Sequence, residues 1–203
     1  MITIDDQIIA KIKKARGGSL FFIEDFLHFG SSKAVGKAME RLVQRDELTR
    51  VATGIYARLK TNALFGKIQP SIEDIAKAIA KRDKARIVPT GVLALNALGL
   101  STQVPLKIVY LTDGAARTIK LGKRTIKFKK SSPKNLSAIG KISKLVIQAL
   151  KEIGKDRVTE EDINIILKHL KKEETHRLEY DIKLAPEWIR AIMRRALKNK
   201  GNE

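Results

Sequence analysis

The basic residues of this chain are interleaved with apolar residues along nearly its whole length, and this arrangement limits what the chain can fold into. The sequence has 41 Lys and Arg against 22 Asp and Glu, a formal net charge of +19. Basic tails are usually low in complexity, whereas here Lys and Arg alternate with Ile, Leu, Val and Phe. We therefore expect folded elements whose outer faces carry the charge, and a polyanionic partner, with nucleic acid first among the candidates.

The excess charge is concentrated in the middle third of the chain. Residues 61–133 contain 14 basic and 4 acidic side chains, a larger imbalance than in either flanking segment. With 203 residues, 43% of them hydrophobic, the chain can form one large or two small domains. We predict an α+β protein with an N-terminal domain over 1–62 and a C-terminal domain over 66–203. The C-terminal domain is expected to be mixed α/β and to end in amphipathic helices, and residues 62–69 are expected to form a linker.

The first sixty residues have the pattern of a winged helix-turn-helix. Thr3 begins a helix with a capping-box spacing, and a brief second helix ends at Gly30. A third helix is predicted from Ser32 to about Arg45. Two short β-prone runs follow around a Thr53–Gly54 turn, and we interpret them as the wing.

The third helix is predicted to have an apolar face and, opposite it, a polar and basic face. In a winged helix-turn-helix such a face enters the major groove, where basic side chains reach phosphates or guanine edges. Serines at the start of the helix are expected to contact phosphate. The predicted DNA-binding residues are Ser31, Ser32, Lys33, Lys37, Arg41, Gln44, Arg50, Thr53 and Arg58. The alternatives are a protein-interaction module and a basic face that is only solvated.

A second basic surface is predicted on a β-hairpin in the middle of the chain. Residues 107–112 have the pattern of a strand, and 117–121 are expected to pair with 124–129 around Gly122. The basic residues of this hairpin are Arg117, Lys120, Lys123, Lys127 and Lys129. They are candidates for contacts with phosphate or with an acidic partner, and the alternative is that lysines only protect an edge strand from aggregation.

The last third of the chain is predicted to be helical. Apolar residues at helical spacing indicate helices over residues 136–153 and 159–170, and a third that begins at Pro186. We expect these helices, including Trp188, to form mainly core.

No catalytic motif is found in the sequence. It has no phosphate loop, no zinc-protease motif, no nucleophile elbow and no cysteine, and its three histidines are scattered. Glu73, Asp74 and Asp113 are too sparse to form a two-metal nuclease site, which needs several convergent carboxylates. We therefore predict a protein that is not an enzyme and needs no metal or cofactor. A nuclease or nucleotidyltransferase with unrecognised carboxylates is the competing hypothesis.

The sequence has no apolar run long enough to span a membrane, and its first residues do not resemble a signal peptide. A cytoplasmic protein with no membrane partner is therefore expected.

The order of several segments resembles the AbiEi-type antitoxins, transcriptional repressors of type IV, abortive-infection toxin–antitoxin systems. The segments are GSSKAVGKAMERLV, ELTRVATGIYARLK, PSIEDIAKAIAKR, IVPTGVLALNALGLSTQVP, YLTDGAARTIKLGKRTIKFKK and APEWIRAIM. The resemblance extends over nearly the whole chain and depends on the order of these segments, not on any one motif.

This resemblance implies a winged-helix domain that binds inverted repeats in the promoter of its own operon, so that double-stranded DNA is the first partner. It also implies that residues 66–203 counter a nucleotidyltransferase-like toxin encoded next door, without forming a lasting complex. We therefore expect a sequence-specific transcriptional autorepressor and antitoxin. The alternatives are a solitary regulator without a toxin and a protein-interaction adaptor.

Overall fold

The structure is a computed structural model that describes residues 2–201, and it contains helices and several β-sheets. The predicted α+β class is therefore confirmed at this level. Contacts divide the chain into two compact units, an N-terminal unit up to Ile79 and a C-terminal unit from Ala80. This division falls inside a helix, beyond the linker expected at residues 62–69. The predicted domain limits, 1–62 and 66–203, stay a prediction.

The N-terminal unit contains two helices, a 3₁₀ segment and five short strands before the helix that contains the division. They are α1 (Ile4–Lys14), β1 (Leu20–Phe22), the 3₁₀ segment Ile23–Phe29, α2 (Ser32–Gln44), β2 (Thr49–Ala52), β3 (Ile55–Ala57), β4 (Lys60–Asn62), β5 (Gly66–Ile68) and α3 (Ile72–Arg82). β3 lies between β1 and β2 and is antiparallel to both. β4 and β5 form a separate two-stranded ribbon.

Capping and hydrophobic spacing explain where the helices of this unit begin. The Thr3 hydroxyl accepts a hydrogen bond from the Asp6 amide, and the Asp6 carboxylate accepts one from the Thr3 amide, so the predicted capping box is confirmed. The expected second helix is present as 3₁₀ and ends at Gly30. Ten side chains form the core of the unit: Ile8, Ile12, Phe21, Phe26, Val35, Ala38, Met39, Leu42, Leu48 and Tyr56.

The prediction of a linker over residues 62–69 is wrong, because most of this segment belongs to the β4–β5 hairpin. The Asn62 side-chain oxygen accepts hydrogen bonds from the amides of Leu64 and Phe65, at 2.8 and 3.2 Å. Gly66 then adopts a φ of +67°, which glycine tolerates far better than other residues. These two local features close a three-residue loop between the strands.

The C-terminal unit combines a four-stranded sheet with helices. Its elements are β6 (Ile87–Pro89), α4 (Val92–Ala97), β7 (Lys107–Thr112), β8 (Arg117–Leu121), β9 (Arg124–Lys130), the 3₁₀ segment Pro133–Leu136, α5 (Ser143–Ile153), α6 (Glu160–Leu170), α7 (Thr175–Ile182) and α8 (Glu187–Gly201). The strand order is β6-β7-β9-β8, with β7 and β9 parallel and the other pairs antiparallel. The predicted strand at 107–112 and the hairpin after it are confirmed.

The helical region differs from the prediction at two places. The first helix begins at Ser143, not at residue 136, and α7 was not predicted. Amides between Ile139 and Ser143 donate to the buried carboxylates of Asp181 and Glu173, so this backbone has side-chain partners in place of helical ones. The helices enclose a continuous apolar core, against which Trp188 packs half-buried.

Candidate nucleic-acid interface

Helix α2 has one buried and one exposed face. Val35, Ala38, Met39 and Leu42 recur at helical spacing and are fully buried in the core of the N-terminal unit. The side chains on the opposite side are exposed: Lys33, Lys37, Glu40, Arg41 and Gln44. Burial of the apolar row therefore holds the polar row outward, as the sequence predicted.

The N-terminus of α2 is capped by Ser31. Its hydroxyl oxygen accepts a hydrogen bond from the Ala34 amide at 3.3 Å. A hydroxyl that accepts in this way still has its own hydrogen to donate. Ser31 and Ser32 are both exposed, at the end of the helix whose dipole favours an anion.

Arg41 is exposed but bound to another helix. Its Nε and Nη2 donate to the two carboxylate oxygens of Asp5 on α1, at 2.9 and 2.6 Å, and Arg45 lies 3.7 Å from the same carboxylate. Arg41 is rotated about the helix axis by roughly 80° from Lys33, towards α1. The arginine therefore joins the two helices, and Lys33 and Lys37 are the cations at the centre of the exposed face.

The Asp5 carboxylate is nearly buried, and its hydrogen bonds from Arg41 hold its pKa below the ordinary value of 3.8. Because the pKa is lowered on folding, the ion pair stabilises the fold fully at pH values above this ordinary pKa. The stabilisation is lost as the pH falls through the lower pKa of the folded protein. At neutral pH the joint between α1 and α2 is therefore fully formed.

The two β-prone runs that were interpreted as a wing form the β2–β3 hairpin. Its turn contains Thr53 and Gly54, and Gly54 has a φ of +72°. Arg50 and Thr53 are exposed. A β-bulge lies between Arg50 and Ala52, and such bulges increase the local twist of a strand.

Arg58 has an internal role. Its Nη1 donates to the carbonyl oxygens of Ile12, Lys13 and Ala15, at 3.2, 2.9 and 2.8 Å. These carbonyls lie at the C-terminal end of α1, where helical partners are missing. Arg58 caps this helix, and the structure does not bring it to the exposed row on α2.

The second predicted basic surface is divided between the two faces of the C-terminal sheet. Lys127 and Lys129 alternate along β9 with the buried Ile126 and Phe128, and Lys120 shares their face because its register partner is Thr125. Lys123 lies in the exposed turn. Lys120, Lys127 and Lys129 therefore form one surface, which we call the lysine face.

Arg117 lies on the other face of this sheet. It pairs in register with the buried Phe128, and its guanidinium carbon lies 5.8 Å from the centre of that ring. The guanidinium also forms an ion pair with Asp83, which accepts a 2.9 Å hydrogen bond from Arg82. The structure thus separates Arg117 from the lysine face.

The three carboxylates considered for metal chemistry are engaged elsewhere. Glu73 forms an ion pair with Lys77 at 2.6 Å, and Asp74 accepts a hydrogen bond from the capping Ser71. Asp113 accepts from the amide and Nε of Arg86, and the latter bond lowers its pKa. Among residues 2–201 no group of three or more potential side-chain ligands is placed to hold a metal ion.

In the part of the chain that the structure describes, no helix has both the length and the apolar character needed to cross a bilayer.

The family model for DUF6088, described as a family of unknown function, matches residues 7–178. This range covers most of the chain and includes α2, the β2–β3 hairpin and the four-stranded sheet. The protein therefore belongs to that family. No curated protein matches the sequence.

Proposed function

We propose that this protein is a sequence-specific DNA-binding repressor that acts on its own promoter, and that its N-terminal unit is a winged helix-turn-helix. The observation that supports this proposal best is the outward row of Lys33, Lys37 and Gln44 on α2, opposite a fully buried apolar row. A recognition helix needs this combination, because the buried row fixes the direction of the side chains that read the groove.

In this proposal α2 enters the major groove. Lys33, Lys37 and Gln44 are then placed to reach base edges, since lysine donates to guanine and glutamine pairs with adenine. Glu40 lies on the same face and is an acceptor that suits the amino group of cytosine. One negative charge within a basic row favours selective over indiscriminate binding.

The remaining predicted residues have supporting roles. Ser31 and Ser32 contact phosphate from the start of α2, and Arg50 and Thr53 do so from the wing. Arg41 holds α2 against α1 through Asp5, and its Nη1 is left to approach a phosphate. Arg58 does not contact DNA in this proposal, and it stabilises the N-terminal unit by capping α1.

The lysine face adds sequence-independent contacts in this proposal. Lys120, Lys127 and Lys129 lie on the adjacent strands β8 and β9, and lysine is a point charge suited to phosphate. Such contacts position a protein on the duplex without reading bases.

Gel-shift titrations test the DNA-binding proposal. The two probes are a duplex from immediately upstream of the protein's own reading frame and a scrambled duplex of equal length. We expect tighter binding to the upstream duplex, with a log–log salt slope of about −4 to −5 if five cations each neutralise a phosphate. Equal, salt-insensitive binding to both duplexes, or binding to neither, would contradict the proposal.

We extend the proposal to antitoxin activity because the ordered segments resemble AbiEi-type antitoxins. In this part, residues 66–203 counter a nucleotidyltransferase-like toxin encoded beside the gene, and the protein acts in the cytoplasm. The test is growth on co-expression with that neighbouring reading frame. We expect residues 66–203 to be required for rescue and the K33A/K37A double variant to rescue as well as wild type. Rescue that depends on Lys33 and Lys37 would contradict this division of roles, and a neighbour that is harmless alone would favour a solitary regulator.

A further inference from the structure

The β4–β5 hairpin carries apolar residues where folding of the chain does not need them. All six residues of its strands are exposed, and at its tip Leu64 and Phe65 are 85% and 80% exposed. An isolated two-stranded hairpin is only marginally stable in water. Two large apolar side chains at the tip of such a ribbon indicate an interaction surface.

The base of this hairpin is attached close to α2. Lys67 on β5 forms an ion pair with Asp46, which follows the last turn of α2. Lys60 on β4 lies over Gly17, where an added Cβ would be 3.1 Å from the Lys60 Cγ. The base is therefore held beside the end of α2 and the segment that follows α1, while the tip is exposed to solvent.

The charge of the surrounding sequence favours a polyanionic partner. From Leu48 to Ile72 the chain has four basic residues and no acidic one. Arg50 and Lys60 are exposed, whereas Arg58 caps α1 and Lys67 is paired with Asp46. This range contains both the wing and the hairpin. An apolar tip on a ribbon without carboxylates matches the side chains that DNA-bending proteins wedge between base steps from the minor groove.

We infer that Leu64 and Phe65 insert between base pairs of the duplex that α2 binds, and that the insertion bends the DNA. This inference rests on the proposed DNA binding and assigns a second, different contact to the N-terminal unit. Leucine and phenylalanine unstack a base step. The exposed Lys60 at the base of the ribbon is available to a flanking phosphate, whereas Lys67 stays paired with Asp46. The bend brings more of the basic surface of the protein against the duplex.

The test compares wild type with the double variant L64S/F65S on the upstream duplex. Gel shifts measure affinity, ligase-catalysed circularisation of a fragment of about one persistence length measures bending, and permanganate reactivity maps unstacked thymines. For wild type we expect faster circularisation and hyperreactive thymines within the bound region. The variant should bind about tenfold more weakly and lose both effects. The matched control is V104S/L106S, which removes two other exposed apolar side chains and should behave as wild type.

The possible outcomes distinguish failure of the wedge from failure of the DNA-binding proposal on which it rests. Wild type that shifts the upstream duplex without bending or unstacking it overturns the wedge and leaves DNA binding in place. Wild type that binds no duplex overturns both. If sedimentation shows a wild-type dimer that L64S/F65S dissociates while bending is unchanged, the tip is a contact between two copies of the chain, and the wedge is overturned.

Discussion

Replacing Asp181 by alanine is expected to lower the free energy of unfolding of the C-terminal unit by about 3–5 kcal/mol, because a buried charged acceptor is removed from all its donors. Asp181 is fully buried. Its carboxylate accepts from the amides of Ile139 and Gly140, each at 2.8 Å, and from the Ser143 hydroxyl. Alanine would leave these three donors without this acceptor, and it would create a cavity beside them.

Urea unfolding followed by tryptophan fluorescence measures this effect. Trp188 is the only tryptophan of the chain and packs against the core of the C-terminal unit, so its signal reports on that unit. Glu179→Ala is the control, because it removes an exposed carboxylate from the same helix, α7, and should change stability by less than about 0.5 kcal/mol. Equal urea midpoints for Asp181→Ala and Glu179→Ala would show that Asp181 does not hold the segment before α5.

Gly140 lies among Asp181, Glu173 and Ser143, in the segment before α5. The crowding at this position explains why the residue is glycine. An added Cβ would lie 2.1 Å from the Ser143 Oγ, 2.6 Å from the Glu173 Oε2 and 2.9 Å from the Asp181 Oδ2. All three oxygens belong to the buried hydrogen-bond network, so none can move away without breaking a bond. The glycine therefore allows the carboxylates to reach the backbone.

Local features of this fold could be predicted from the sequence. The capping boxes, the strand at residues 107–112 and the Gly122 hairpin depend on side chains within a few residues of each other. The same holds for the outward polar row on α2, since helical spacing alone determines which residues share a face. The exposed row on α2 and the outward lysines of β9 can therefore be predicted from the pattern of the chain.

The features that were missed depend on contacts between distant parts of the chain. Arg41 and Asp5 are 36 residues apart, and 43 to 46 residues separate Arg58 from the carbonyls that it caps. Spacing cannot distinguish an arginine that reads DNA from one that joins two helices. The late start of α5 likewise depends on Asp181, 42 residues after the amide of Ile139.

The β4–β5 hairpin could have been predicted from its turn residues, although the segment was interpreted as a linker. Asn62 and Gly66 stand on either side of a three-residue loop, and both residue types favour tight turns. The short strands and the exposed apolar tip made the segment resemble a linker. An apolar pair between turn residues, with lysines outside them, is the pattern to look for in related chains.

Replacing both Lys33 and Lys37 by alanine is expected to weaken binding to the upstream duplex by about 100-fold and to remove most of the preference over the scrambled duplex. Each lost base contact contributes about 1–3 kcal/mol of discrimination. The folded state should be unaffected, because both side chains are exposed on the face of α2 opposite its buried row. Arg41 is retained in this variant, since its removal would leave the buried Asp5 without its main partner.

The matched comparison is the double variant K127A/K129A, which removes the same number of positive charges from the lysine face. If that face contacts only phosphate, affinity for both duplexes should fall by a similar factor, and the salt slope should become shallower by about 2. Loss of preference should appear only with K33A/K37A, because base contacts carry sequence information and phosphate contacts do not. If both double variants weaken the two duplexes equally, α2 does not read sequence, and the N-terminal unit has another role.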